Sequence, residues 1–242
     1  MLNSLLLALA AAPGIHPGLH QTVVVLTYHE VVPERTADSL WFYCSVSELE
    51  NQLKTMERAH VHFITLNQLY NYLSRGTPLP KKPVCITFAD SYEGYYQYAL
   101  PILRKHHVPS AQFVHTGFVG SPIGRPKLTW AQLKEIDKAG DVTIASQTVT
   151  HPLDLRILSD AALQKEMVNS KRSLEAHLGH PIHYLAYPNG KFDQRTEQAA
   201  KAAGYWMACS EVTKPANQSP SIYAVNRYVH TKWQIALNKL KR

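Results

Sequence analysis

Cysteine is scarce in this chain, and so are long apolar runs and clustered charge. The 242 residues include three cysteines, Cys44, Cys85 and Cys209, an odd number at wide spacing. That pattern excludes a disulfide framework and a zinc-knuckle spacing. Cys85 lies inside "PVCITF" and reads as a small core hydrophobe. Lys and Arg total 25 against 18 Asp and Glu, a formal net charge of +7. The basic residues are scattered, apart from the C-terminal "TKWQIALNKLKR", and no interleaving of aromatic and basic residues accompanies them. The excess therefore reads as a solvated face, and no nucleic acid partner is expected. The first stretch, "MLNSLLLALAAAPG", lacks a basic leading region and is too short to cross a bilayer as a helix. With small residues behind its apolar run, it predicts a secretory signal or an N-terminal arm over residues 1–21, and a secreted or cell-envelope location.

What is present is a repeated alternation. "TVVVLTYHEV" is apolar without interruption, as a strand buried on both faces requires, and "VSELENQLKTMERAH" follows with a helical period. There Ser47 is the expected cap, with Glu50 completing a capping box. "HFITL" then reads as strand, "NQLYNYLSRG" as helix closed by Gly76, and "PVCITF" as strand. "YYQYALPILRKHH" reads as helix, "SAQFVHT" as strand, "TWAQLKEIDKAG" as a helix capped by Thr129, and "VTIAS" as strand. A long helix from about Ser159 to Leu178, strands at "IHYLAYP" and "WMACS", a helix between them at "QRTEQAAKAAG" and a last helix near the C-terminus complete the series. About seven strand-helix units predict an α/β fold, a distorted (β/α)7-type barrel of mostly parallel strands, in one domain over residues 22–242.

In such a fold the chemistry sits just beyond the C-terminal ends of the strands. That filter selects His29, Asp90, His115, Gln147, His151, Tyr187, Asn189, Arg227 and His230. His29 and His115 read as structural histidines held near strand ends.

The residues at these tips carry a resemblance. "ITFADSYEGYYQYALPILRKHHVPSAQFV", "LTWAQLKEIDKAGDVTIASQTVTHPLDL", "YLAYPNGKFDQRTEQAAKAAGY" and "VNRYVH" follow one another in the order found in the polysaccharide deacetylases of carbohydrate esterase family 4, the NodB-homology group. The chain resembles that family from about Val24 to its C-terminus. "YHEV" and "AYPNG" further resemble its surface-glycan deacetylase subgroup. The resemblance implies hydrolysis of N-acetyl groups on a polysaccharide or oligosaccharide, with a divalent metal, zinc in the family, as cofactor. Asp90 matches the family's metal-binding carboxylate, His151 its second metal-binding histidine and His230 its general acid.

Three positions depart from the family pattern. Ala89 stands where the general base belongs, Ser91 where glycine belongs, and Gln147 where the first metal-binding histidine belongs. A methyl group cannot accept a proton, and loss of a general base costs about 10² to 10⁴ in rate. An amide is also a poor zinc ligand. The expectation is a weak or inactive relative that binds N-acetylated glycans, with Tyr92, Tyr187, Pro188 and Asn189 lining the groove. Two other readings stay open: an active deacetylase that uses a relocated base such as Asp154 or Glu93, and a non-catalytic scaffold.

Overall fold

The computed structural model describes residues 14–241; the expected signal or arm over residues 1–21 lies largely outside the described residues. Ten strands and seven α-helices are assigned among them: β1 (Val24–Tyr28), β2 (Val31–Val32), β3 (Cys44–Ser45), α1 (Val46–Arg58), β4 (His62–Ile64), α2 (Leu66–Arg75), β5 (Pro83–Phe88), α3 (Leu100–Lys105), β6 (Ser110–Val114), α4 (Trp130–Ala139), β7 (Val142–Ser146), α5 (Asp160–Leu178), β8 (Tyr184–Ala186), α6 (Gln194–Ala202), β9 (Met207–Cys209), β10 (Tyr228–Val229) and α7 (Trp233–Lys239).

The main sheet runs β10-β1-β5-β6-β7-β8-β9, with β4 lying against the first half of β5. Each of its ladders is parallel. Every residue of β1, β5 and β6 is buried, because helices cover one face and the barrel core the other. The sheet curls into an incomplete barrel. Its last two strands do not pair directly; the irregular segment around Ile222–Val225 bridges them, through Val225 N–H to the Ala208 carbonyl and Ser210 N–H to the Val225 carbonyl.

Local sequence explains most element boundaries. Thr65 with Gln68, Thr129 with Gln132 and Asp193 with Thr196 form reciprocal capping boxes at α2, α4 and α6. Gly76 and Gly179 end α2 and α5 in the left-handed conformation, where a side chain would be strained. Two expectations are corrected. The α1 cap is Ser45 with Glu48, not Ser47 with Glu50, because Cys44 and Ser45 are already pairing with β2 and the helix starts where that pairing stops. The helix expected over "YYQYALPILRKHH" is split, with a π-helical turn at Tyr95–Ala99 leading into α3. Pro101 explains the split, since it lacks an N–H and its ring crowds the preceding turn.

Candidate active site

All of the functional positions lie just past the carboxyl ends of parallel strands. His29 follows β1, Asp90 follows β5, His115 follows β6, Gln147 and His151 follow β7, Glu211 follows β9 and His230 follows β10. At the centre is a turn of unusual backbone: Asp90 (φ 68°) and Ser91 (φ 46°) are both left-handed. Ser91 is fully buried in the place where glycine was expected. Non-glycine residues in this region cost of order 1 kcal/mol or more each, so the surroundings must hold the turn.

They hold it through the N–H, the carbonyl and the carboxylate of Asp90. Its N–H donates to Gln147 Oε1 at 2.7 Å, and Gln147 Nε2 donates back to Asp90 Oδ1 at 2.8 Å. This pairing fixes which end of the amide is which, because the backbone N–H accepts nothing. The Asp90 carbonyl accepts from His115 Nε2 at 2.6 Å and from Lys127 Nζ at 2.9 Å. His115 therefore carries its proton on Nε2, leaving a buried Nδ1 with no partner. His151 Nε2 lies 3.4 Å from Asp90 Oδ1.

The His151 loop is itself anchored. Glu166 of α5 accepts from Val149 N–H, Thr150 N–H and the Thr150 hydroxyl at 2.7 to 2.9 Å, which turns the left-handed His151 (φ 52°) toward Asp90. Asp90 and His151, from separate strand tips, do converge. Burial opposes ionisation of Asp90, but the contact with His151 and the neighbouring His29 and His115 outweigh it and hold the carboxyl well below the usual carboxylate range. Burial brings His115 down to about 4 and Lys127 down to about 8.

Beside this turn, His29 Nε2 faces Glu211 Oε1 at 3.8 Å, and the same oxygen lies 3.7 Å from Arg227 Nη2. Arg227 is fully buried, donating from Nε to the Ser210 carbonyl and from Nη1 to Thr27 Oγ1, with its guanidinium 5.1 Å from the Phe113 ring centre. Gly190 makes room for the backbone of Glu211: a Cβ there would lie 2.6 Å from Glu211 Cβ and from Glu211 N. Burial lowers the His29 pKa while Asp90 and Glu211 pull it up, and the net direction is down, so the imidazole is neutral at neutral pH.

Several expectations change here. Ala89 is buried with its N–H bound to the Tyr28 carbonyl, so nothing at that position accepts a proton. Gln147 does not offer its oxygen to the centre, because the Asp90 N–H occupies it. His230 stacks on Tyr28 at 5.3 Å in a buried position, and the charges that bear on it include His29, Glu48 and Arg35. His29, by contrast, interacts with the charge of Asp90. Tyr187 is fully buried and stacked on Phe192 at 5.7 Å, and Pro188 is buried as well. Neither presents a face to a sugar. Tyr92 is only 5% exposed, stacked on Phe42, with Lys127 Nζ 3.4 Å from its ring centre. Asn189 does reach the surface, donating to the Leu153 carbonyl at 3.2 Å. Asp154 is consumed by Arg156, which donates to it from Nε, Nη2 and its backbone N–H. Glu93 lines a separate hollow with Tyr43, Gln97 and Arg125.

The exposed aromatic surface comes from elsewhere. Trp41 is 59% exposed and sits edge-on to His29 at 6.0 Å, and Phe118 is 40% exposed beside His115 at 5.1 Å. Lys127 and Trp41 carry no signal in the sequence, because both lie in loops away from any strand tip. Glu211, two residues beyond β9, satisfies the strand-end filter, and its signal is its position alone.

The donor set does not fit the metal that the resemblance implies. Asp90 Oδ1 is already taken by Gln147 and faced by His151, Gln147 contributes a donor where a ligand is needed, and His115 Nε2 is spent on the Asp90 carbonyl. Among the described residues no group of three or more His, Cys, Asp and Glu side chains is arranged to hold an ion.

Comparison with known proteins gives a consistent picture. A sequence profile of the family described as polysaccharide deacetylase matches residues 76–208, more than half of the chain. The chain is 29% identical to the Bacillus subtilis protein YxkH over 181 residues, 74% of this chain but 63% of that protein, so the match leaves over a third of the relative uncovered. It is 26% identical over 228 residues to the poly-beta-1,6-N-acetyl-D-glucosamine N-deacetylase of Staphylococcus aureus, covering 85% of this chain and 78% of that protein. Among solved structures, IcaB from Ammonifex degensii superposes with a TM-score of 0.80 at 25% identity, covering 92% of this chain and 98% of that one. The Streptococcus pyogenes deacetylase PplD, in complex with acetate, superposes with a TM-score of 0.79 at 26% identity, covering 86% and 92%.

Proposed function

The chain belongs to the polysaccharide deacetylase family, whose members are generally metal-dependent, and on that premise we propose that it binds N-acetylated glycans over the strand tips with deacetylation weak or lost. One observation carries this reading: the base position is a buried methyl group, and the adjacent carboxylate is occupied by an amide rather than free for an ion. In the family the metal polarises the acetyl carbonyl and activates water. The residues here support recognition instead. Trp41 offers an aromatic face for a pyranose ring, and Asn189 offers polar atoms at the rim. The whole of residues 22–242 forms the proposed glycan-binding domain.

The glycan class follows from the Staphylococcus aureus relative, whose name gives poly-beta-1,6-N-acetyl-D-glucosamine as substrate, and it implies work outside the cell or at its envelope. No helix of the described residues is long and apolar enough to cross a membrane. A second reading, an active deacetylase with a relocated base, draws support from His29. Its imidazole is neutral, faces Glu211 and feels the charge of Asp90, whereas Asp154 is held by Arg156 and Glu93 lines a separate hollow.

Titration calorimetry with N-acetylglucosamine oligomers, together with a release assay for free acetate, tests both readings. The expected outcome is saturable binding that Trp41→Ala weakens about tenfold, with acetate release roughly 10² to 10⁴ below that of an active relative. Release on a par with the relative contradicts the proposal, and its loss in His29→Gln then assigns the base. Absence of binding favours the scaffold.

A further inference from the structure

We infer that Gln147 takes the place of the ion itself: its amide ties the tips of β5 and β7 together so that this site keeps its shape without a divalent cation and excludes one. The inference rests on the family reading only in that Asp90, Gln147 and His151 occupy the family's metal-binding positions.

A metal centre at this place joins two separate loops through one ion. Here the same two loops are joined by a closed pair of hydrogen bonds, Asp90 N–H to Gln147 Oε1 at 2.7 Å and Gln147 Nε2 to Asp90 Oδ1 at 2.8 Å. Gln147 is 2% exposed and its own backbone N–H extends the β6–β7 ladder to the Val114 carbonyl at 2.7 Å, so its side chain starts from a rigid position. A histidine could not close the same pair. Its one acceptor nitrogen and its one donor nitrogen point away from each other across the ring, so they cannot both reach the N–H and the carboxylate of the same residue as the adjacent oxygen and nitrogen of an amide do. The amide is therefore suited to bridging, as the imidazole is to ligation.

Charge is supplied in parallel. An ion would neutralise the buried Asp90 carboxylate, and a buried carboxylate without a counter-charge is costly. Lys127 brings an ammonium to the same turn, 2.9 Å from the Asp90 carbonyl and over the Tyr92 ring. The amide provides the cross-link and the ammonium provides the positive charge. Nothing at the centre is left for a metal to do.

Heating the full-length chain with EDTA, with zinc and with nickel, alongside elemental analysis after zinc loading and dialysis, tests this. A site holding an ion at a hundredfold excess over its Kd raises the Tm by roughly 5–10 °C for a domain of this size. The expected result is a Tm that moves by less than about 1 °C in every condition and far below one ion per chain. Stoichiometric zinc, or a metal-dependent rise in the wild-type Tm, overturns the inference. Gln147→Leu, close in size but unable to bridge, should lower the Tm by several degrees, and an unchanged Tm overturns the cross-link. Should that variant not fold, Gln147→His gives the same reading: the expected outcome is a protein destabilised in EDTA and restored by zinc, and equal stability in both refutes the exchange of amide for ion. Glycan binding by the wild type is independent of these results. A protein that binds zinc and glycan contradicts only this inference, and one that binds neither contradicts only the proposed function.

Discussion

Changing Glu211 to Gln removes the only carboxylate within 4 Å of a guanidinium that is completely buried, among the described residues. At 3.7 Å and an effective dielectric constant of about 20, the attraction between unit charges is roughly 4–5 kcal/mol. Two facts reduce it. The Glu211 side chain is 18% exposed, and Gln keeps an oxygen that still accepts a hydrogen bond. Breaking a buried pair from one side costs about 3–5 kcal/mol because the other charge is stranded, so Glu211→Gln should cost about 3 kcal/mol. In urea, with a slope of about 2–3 kcal/mol/M, the midpoint should fall by about 1 M. NMR titration of His29 adds a second readout. Burial depresses this histidine and Glu211 partly offsets it, so the variant should titrate at still lower pH. A midpoint within about 0.2 M of wild type would mean that the Ser210 carbonyl and the Thr27 hydroxyl suffice for Arg227 and that Glu211 does not stabilise the buried charge.

Acid should destabilise the protein through His230, which burial lowers to about 4. Between pH 6.5 and 4 the unfolded chain binds the proton that the folded chain refuses, so stability falls as pH drops through that window, by roughly 2–3 kcal/mol at pH 4.5 for this one group. In His230→Phe the difference between urea midpoints at pH 7 and pH 4.5 should shrink accordingly; an identical difference excludes His230 as a contributor. Tyr187 buries a hydroxyl that has no hydrogen-bond partner. Tyr187→Phe should therefore be neutral or stabilising by up to about 1 kcal/mol, and a clear loss of stability in calorimetry would reveal a partner for that oxygen.

The parallel sheet was legible because its signal is strong: β1, β5 and β6 are unbroken apolar runs, and only burial on both faces accounts for them. Strand order and the rule that chemistry sits at strand ends then located Asp90 and His151 on opposite sides of one centre. The same reasoning could give residue types at the tips but not their partners. Gln147 looked like a weakened ligand because nothing in a sequence says that its oxygen meets a backbone N–H from a strand two positions away in the sheet. Tyr187 looked like a sugar platform because aromatic residues at strand ends are common in both roles, and only the packing of Phe192 against it decides. Lys127 and Trp41 reach the site from loops, where no periodicity marks which way a side chain turns.

The last strand in the chain pairs with the first, Leu26 with Tyr228 and Thr27 with Val229. The bond from Arg227 to Thr27 spans 200 positions of chain. A contact so distant in sequence forms late, since the intervening loop must be closed before it repays the lost entropy. His29 stands one residue past β1, and Glu211 and Arg227 stand near β9 and β10. The corner therefore does not exist until Arg227 has been made, and a chain truncated before Arg227 would lack it however well the remaining strands had folded.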